Sequence, residues 1–255
     1  MKNKSLLNMI AVLMILPSVS FAKAGASKKG KETRTPSMVA MDSATEDDKL
    51  TLSEMQRQIR LHHAQELLGK HYRKSVVRSG EKVSKINSQI YRWTKEMLPK
   101  KHRSKYQRVA QAIIDQAVKY EFDPVFLMSV IQGESSFNPD MLGKLDEIGL
   151  MQIRPATGEW IARKYGIKWK GEKSLKDPVE NVKIGAAFLS YLRERFDSHA
   201  RLYLAAYNMG QRNVDNALEK NIWPKDYPVH VMSRYVQFYE DLEQTAGAKR
   251  REKKS

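Results

Sequence analysis

Apolar residues recur at spacings of three and four along most of this chain, and this periodicity constrains the fold more than any other feature of the sequence. Such spacing places the apolar side chains on one face of an α-helix. The longest example follows Asp177-Pro178 and consists of Val182, Ala186, Leu189, Leu192 and Phe196. No segment has the sustained alternation of a half-buried strand. The sequence therefore predicts an all-α protein.

The most informative predicted helix begins at Asp123-Pro124 and carries Glu134 near its end. Aspartate is a favourable N-cap, and proline suits the first helical position because its missing N–H is not needed there. Glu134 shares a face with Leu127, Val130 and Ile131. Burial on that face would raise the pKa of the carboxyl and let it hold a proton near neutral pH, as a general acid must. The alternative for this segment alone is a solvated glutamate in a frayed last turn.

Four short motifs follow one another along the chain. They are Glu134–Pro139 (ESSFNP), Gly149–Ile153 (GLMQI), Ala206–Gly210 (AYNMG) and Tyr235 within SRYV. In this order and at these separations they resemble the motifs of the soluble lytic transglycosylase (SLT) family of peptidoglycan-cleaving enzymes, over roughly Tyr106 to Glu243. The resemblance implies a lysozyme-like, goose-type helical catalytic domain.

The resemblance also implies roles for single residues. Glu134 would protonate the leaving glycosidic oxygen and then, as a carboxylate, remove the proton of the C6 hydroxyl of the same sugar, which leaves a 1,6-anhydromuramyl end and consumes no water. The implied substrate-binding residues are Ser135, Gln152, Tyr207, Asn208 and Tyr235. Ser135 would orient the carboxylate or an acyl group of the substrate. Tyr235 would contact the catalytic carboxyl, although Tyr227 or Tyr239 could be confused with it.

Two departures from the family leave other readings open. Asp146-Glu147-Ile148 stands where the family usually has small residues, and Gln211 replaces a common proline. Asp146 or Glu147 could supply a second carboxylate, which would make the enzyme a hydrolytic muramidase. A non-catalytic wall-binding scaffold is the alternative from another class, and the intact Glu134 argues against it. Analysis of the products would discriminate among anhydro ends, reducing ends and no cleavage.

The chain divides into five expected segments. Residues 1–22 are predicted to be a signal peptide, because two lysines precede an uncharged apolar run that ends in Ser20-Phe21-Ala22. Residues 23–49 are predicted to be a disordered basic linker. A helical N-terminal extension follows over residues 50–103, then the catalytic domain over 104–245 and a basic tail over 246–255.

Composition excludes several kinds of chemistry. The chain has no cysteine, which excludes disulfides, thiolate metal sites, cysteine nucleophiles and a lipoprotein anchor. The six histidines lack metal-ligand spacing, and neither a phosphate-binding loop nor a serine nucleophile elbow is present. We therefore expect no metal, no cofactor and no nucleic-acid partner.

The positive charge lies mainly outside the motif-bearing region. Residues 1–120 carry a net charge of +14, residues 121–245 carry −2 and residues 246–255 carry +4. Peptidoglycan glycan strands are the expected substrate, and the basic half is expected either to contact anionic envelope polymers or to form a solvated surface. No stretch after the signal approaches the roughly 20 apolar residues of a transmembrane helix. The protein is thus expected to be exported to the periplasm or cell envelope.

Overall fold

A computed structural model of the chain describes residues 46–78 and 81–252. In this part of the chain the regular structure consists of α-helices and short 3-10 turns, with isolated β-bridges but no strand. The all-α class is confirmed. No helix among the described residues is long and apolar enough to span a membrane. The predicted signal peptide and residues 23–45 of the predicted linker lie outside the described residues.

Ten α-helices follow one another in the described residues. They are α1 (Glu46–Leu68), α2 (Val83–Met97), α3 (Tyr106–Lys119), α4 (Pro124–Ser135), α5 (Pro155–Tyr165), α6 (Glu172–Lys176), α7 (Pro178–Arg195), α8 (Ala200–Met209), α9 (Gln211–Glu219) and α10 (Asp226–Glu252).

Helices α1 and α10 both run further than the sequence indicated. Helix α1 begins inside the expected linker, and α10 continues to Glu252 through most of the expected tail. An acidic run opens the first helix and a basic run closes the last one. Acidic residues favour a helix N-terminus and basic residues a helix C-terminus, because each complements the helix dipole.

Helix α4 lies at the centre of the fold and packs against α10, α3 and α2. Asp123 caps it as predicted, since its side chain accepts a hydrogen bond from the backbone N–H of Val125 at 2.9 Å. Leu127, Val130 and Ile131 are fully buried. The helix ends where Ser136 adopts a left-handed conformation with φ of 50°, rather than at a glycine. The predicted start and buried face of this helix are confirmed.

A buried polar network holds the beginning of α4. The hydroxyls of Tyr235 and Tyr239 on α10 both donate to Asp123 Oδ2, at 2.6 and 2.7 Å. Arg60 on α1 donates to the hydroxyl of Tyr239 at 3.2 Å, and the backbone N–H of Asp123 donates to His63 Nδ1 at 3.1 Å. Asp123 therefore ties the start of α4 to the middle of α10, and through Tyr239 and His63 to the C-terminal half of α1.

Burial sets the protonation of this network. It raises the pKa of Asp123, while the Arg60 guanidinium and the two tyrosine hydroxyls oppose that rise. Burial also lowers the pKa of His63 well below its ordinary value, so this ring is neutral. Because Nδ1 accepts a hydrogen bond, Nε2 carries the proton and faces the Tyr203 hydroxyl at 3.2 Å. His63 is thus a packing residue with both ring nitrogens used.

The predicted N-terminal extension shares one core with the predicted catalytic domain. Ile86, Ile90 and Trp93 on α2 are buried in the same cluster as the core residues of α3 and α4. The ring of Trp93 packs against Phe238 on α10, with their centroids 4.8 Å apart. Residues 46–78 and 81–252 accordingly belong to one compact unit, without a separation of cores at residue 103.

A shared core predicts that damage in α2 destabilises the whole protein. Ile90→Ala removes a fully buried side chain and should cost about 2–5 kcal/mol. The thermal unfolding curve should shift to lower temperature as a single transition, followed by circular dichroism and by tryptophan fluorescence. Met55→Ala, on the exposed side of α1, is the matched control. It should change the free energy of unfolding by no more than about 0.5 kcal/mol. A separate early transition in Ile90→Ala would show instead that the extension folds independently.

Candidate active site

A cleft of about 310 Å³ opens beside the last turn of α4. Glu134, Gln152, Tyr207 and Asn208, four of the six residues predicted from the sequence, line it. Glu147 lines it as well. The structure thus brings together residues that are separated by up to 74 positions in the sequence. Ser135 and Tyr235, the other two predicted residues, lie elsewhere.

Glu134 is a half-buried carboxyl whose surroundings favour the protonated form. Burial raises its pKa to about 7, and the neighbouring Glu147 carboxylate adds to that rise. The hydroxyl of Tyr227 donates to Glu134 Oε1 at 2.5 Å and opposes the rise, as does the positive charge of Arg234. A carboxyl with this pKa exists in both protonation states near neutral pH, as a group that acts first as acid and then as base requires.

The tyrosine that contacts the Glu134 carboxyl is Tyr227, and not Tyr235 as the resemblance implied. Helix α10 runs antiparallel to α4, because its first turn meets the end of α4 while Tyr235 and Tyr239 meet Asp123 at the beginning of α4. The 11 residues from Asp123 to Glu134 span about 16 Å of helix at 1.5 Å per residue. The Tyr235 hydroxyl is therefore bound at the far end of α4 from the cleft.

Arg234 is a second neighbour of Glu134 that the sequence interpretation missed. Its guanidinium lies against Gly133, where an added Cβ would come within 2.9 Å of Nη1. Glycine at this position thus lets a cation approach the last turn of α4. The sequence signal was present, since Arg234 belongs to the SRYV segment and a glycine precedes the catalytic glutamate, but neither feature alone indicates contact.

Two predicted substrate ligands hold the Gly149–Ile153 loop instead. Ser135 is buried, and its hydroxyl donates to the carbonyl oxygen of Leu150 at 2.8 Å. The hydroxyl of Tyr207 donates to the carbonyl oxygen of Met151 at 2.7 Å. The buried position of Ser135 excludes the expected contact with an acyl group of the substrate. Tyr207 keeps part of its ring on the cleft wall.

Asn181 on α7 completes the anchoring of this loop. Its side-chain nitrogen donates to the carbonyl oxygens of Ile148 and Leu175 at 2.8 and 2.9 Å, and its oxygen accepts from the backbone N–H of Met151 at 2.8 Å. At Gly149, where φ is 80°, an added Cβ would come within 2.5 Å of the Asn181 side chain. Asn181 could have been found from the sequence, because it is a polar residue on an otherwise buried helix face. The same feature drew attention to Glu134.

Gln152 and Asn208 face the cleft as predicted. The Gln152 side-chain nitrogen donates to the carbonyl oxygens of Met141 and Gly149, at 3.1 and 2.8 Å. The remaining polar atom, Oε1, is an acceptor for the N–H or O–H groups of a sugar. Asn208 is exposed and lines the same cleft. The two carboxamides thus give the cleft neutral polar groups suited to an uncharged, hydroxyl-rich substrate.

Glu147 is an ionised carboxylate in the same cleft. Although burial raises its pKa, the backbone N–H of Leu145 at 2.9 Å and the Arg154 guanidinium at 3.0 Å hold that pKa below its ordinary value. Asp146, the other candidate for a second carboxylate, is exposed and does not line the cleft. Among residues 46–78 and 81–252 no group of three or more His, Asp or Glu side chains is arranged to hold a metal ion.

Comparison with protein-family models gives a match over the part of the chain that forms the cleft. The family model described as "Transglycosylase SLT domain" matches residues 111–229, a range that contains the cleft and Tyr227. Residues 111–229 are therefore similar to SLT domains. The resemblance read from the four motifs is confirmed, and the match ends before Tyr235, which the structure removes from the cleft.

Proteins similar to part of this chain are named as lytic murein transglycosylases. A "Putative soluble lytic murein transglycosylase" of Haemophilus influenzae is 32% identical over 95 residues, which is 37% of this chain and 16% of that protein. An "Endo-type membrane-bound lytic murein transglycosylase A" of Klebsiella pneumoniae is 42% identical over 74 residues, 28% of this chain and 36% of that protein. The chain thus spans about a third or less of the length of these relatives.

Among the solved structures that are similar to this chain is that of the lytic transglycosylase Slt of Pseudomonas aeruginosa, determined as an inactive mutant. It is 26% identical to this chain, covers 52% of this chain and 24% of its own length, and superposes with a TM-score of 0.48.

The two tyrosines make a matched pair of tests for the SLT domain. Removing the Tyr227 hydroxyl should raise the pKa of Glu134, because that hydroxyl stabilises the carboxylate. Tyr227→Phe should therefore shift the alkaline limb of the pH–rate profile upward by roughly one pH unit. Tyr235→Phe should leave that limb in place and lower thermal stability, by about 1–3 kcal/mol. An alkaline limb that moves with Tyr235→Phe and not with Tyr227→Phe would contradict the assignment.

Proposed function

We propose that this chain is a peptidoglycan lytic transglycosylase that cleaves the β-1,4 bond between N-acetylmuramic acid and N-acetylglucosamine. The observation that carries the proposal is the Glu134 carboxyl, with a pKa of about 7, in a cleft that also presents the carboxamides of Gln152 and Asn208. Relatives named as lytic murein transglycosylases support the same conclusion. The predicted signal peptide supports export to the periplasm or cell envelope, where this substrate lies.

The proposed reaction uses Glu134 twice. The protonated carboxyl donates its proton to the glycosidic oxygen while the bond from that oxygen to C1 of the muramic acid breaks. The resulting carboxylate then removes the proton of the C6 hydroxyl of the same sugar, and O6 bonds to C1. The carboxyl thereby regains its proton and no water is consumed. Tyr227 keeps Oε1 oriented throughout, and the Gly149–Ile153 loop presents Gln152 to the sugar.

A hydrolytic muramidase is the second candidate, because Glu147 supplies an ionised carboxylate in the same cleft. Its environment favours the first candidate. One oxygen of Glu147 accepts from the Leu145 backbone and the other from Arg154. These charge-assisted hydrogen bonds stabilise the ionised form and hold the pKa of Glu147 below its ordinary value, which makes it a weaker general base for a water. We assign Glu147 the role of raising the pKa of Glu134 by its negative charge.

Glu134→Gln should abolish cleavage of purified sacculi, with a loss of at least about 100-fold, because the amide cannot exchange a proton. The parent should release muropeptides with anhydro ends, measured by mass spectrometry, and Glu147→Gln should release the same products. Reducing ends from the parent that are lost in Glu147→Gln would establish the muramidase instead.

Stability supplies the control for Glu134→Gln. The folded state favours protonated Glu134, so its contribution to stability is present below about pH 4.5 and is lost as the pH rises through about 7. The variant lacks this loss, and above pH 7 it should melt no lower than the parent. Inactivity accompanied by a lower melting temperature at that pH would leave the loss of cleavage explained by unfolding.

We also propose that the basic surface of α2 and the following 3-10 turn contacts anionic envelope polymers. Arg92, Lys95 and Arg103 line a shallow surface depression there, with Glu96 as its acidic member. A polyanion that binds such a surface is attracted mainly through long-range charge, which salt screens as the Debye length falls from about 10 Å at 0.1 M to about 3 Å at 1 M.

Charge reversal tests this surface in the full chain, since α2 is part of the common core. Arg92→Glu with Lys95→Glu, both on exposed residues of this surface, should weaken binding to sacculi at low salt and flatten its salt dependence, measured by co-sedimentation with the inactive Glu134→Gln chain. Lys168→Glu with Lys173→Glu changes the net charge equally on other exposed residues and should bind as the parent does. Equal weakening by both pairs would indicate an effect of net charge alone.

A further inference from the structure

An aromatic patch lies beyond the cleft wall, at Trp160, Tyr191 and Gln211. The ring of Trp160 is 38% exposed although tryptophan is costly to leave in water. It stands at 89° to the Tyr191 ring with 4.7 Å between centroids. The Tyr191 hydroxyl donates to Gln211 Oε1 at 3.1 Å. An edge-to-face contact and a hydrogen bond therefore fix the orientation of this exposed indole.

Three separate elements lead from the cleft to this patch. On α5, Thr157 lines the cleft and Trp160 follows three residues later; on α7, Phe188 lines the cleft and Tyr191 follows three residues later. Residues three apart on a helix share a face, and three residues advance about 4.5 Å along the axis. Gln211 directly follows the cleft residue Gly210. The patch is thus the continuation of one cleft wall by about one helical turn.

We propose that Trp160, held by Tyr191 and Gln211, forms a distal subsite for a glycan strand whose scissile bond lies at Glu134. The inference rests on the proposed function. An exposed indole suits the apolar face of a pyranose ring, while the polar rim of the patch suits its hydroxyl groups. A strand that leaves the cleft along α5 reaches the patch with its next sugars.

Gln211 explains why the patch has this form. Its side chain accepts the Tyr191 hydroxyl hydrogen bond, which a proline at this position cannot do. The Lys164 ammonium lies 5.5 Å from the centroid of the Tyr191 ring and adds a positive charge at the rim.

Chain length tests the subsite independently of cleavage. The probes are the N-acetylglucosamine tetramer and octamer, titrated into the inactive Glu134→Gln chain by calorimetry. Trp160→Ala should lower the affinity for the octamer by about tenfold and leave the affinity for the tetramer unchanged, because only the longer strand reaches the patch. Trp160→Phe keeps an aromatic face and should retain most of the affinity for the octamer.

Trp223→Ala removes a more exposed indole, 50% against 38% for Trp160, that does not line the cleft, and it should change neither affinity. Equal weakening of both oligomers by Trp160→Ala, or of neither, would overturn the subsite. These outcomes differ from failure of the proposed function, in which the parent would cleave no sacculi while the binding results stand.

Discussion

The antiparallel packing of α4 against α10 is the interaction on which the rest of this structure depends. Each end of α4 carries a carboxyl that accepts from a tyrosine of α10, Asp123 from Tyr235 and Tyr239 and Glu134 from Tyr227. Between the two ends the helix is apolar and almost wholly buried. A helix clamped at both ends keeps its register, and the position of the catalytic carboxyl follows from that register.

The two carboxyls share a physical environment and differ in what surrounds them. Burial raises the pKa of both. Asp123 has a backbone N–H, two hydroxyls and the nearby Arg60 charge, and it is closed off from solvent. Glu134 opens onto a cleft, has one hydroxyl donor and feels the opposing charges of Arg234 and Glu147. One group is thereby a structural anchor, while the other is able to exchange a proton with a substrate.

Sequence reasoning located the catalytic helix because its signals are local. The cap at Asp123, the buried face and the out-of-place Glu134 can all be read within one helix. Gln152 and Asn208, which were selected through motif resemblance, line the cleft. Tyr235 was misassigned because the choice between it and Tyr227 depends on the direction and register of α10 against α4, which are long-range properties. The first helices were expected to form an N-terminal extension. The core that they share with α3 and α4 was not predicted, because the burial of Ile90 depends on partners distant in sequence.

Ser135 and Tyr207 illustrate a related limit. A motif records that a residue type is required, but it does not say whether the requirement is contact with substrate or support of the chain that makes the contact. Both hydroxyls donate to carbonyl oxygens of the Gly149–Ile153 loop. Asn181, on a helix that carries no motif, adds one hydrogen bond to Met151 in this loop and one to Ile148 beside it. The cleft wall is therefore specified by residues whose effect on substrate is indirect.

The central claim is that burial at the end of α4 makes Glu134 an acid that holds its proton near neutral pH. Titration of its side-chain carboxyl carbon by NMR in the free protein tests this most directly. The structure predicts a pKa of about 7. A value at or below the 4.5 of an unperturbed glutamate would contradict the account, because the group would then be ionised before a substrate arrived.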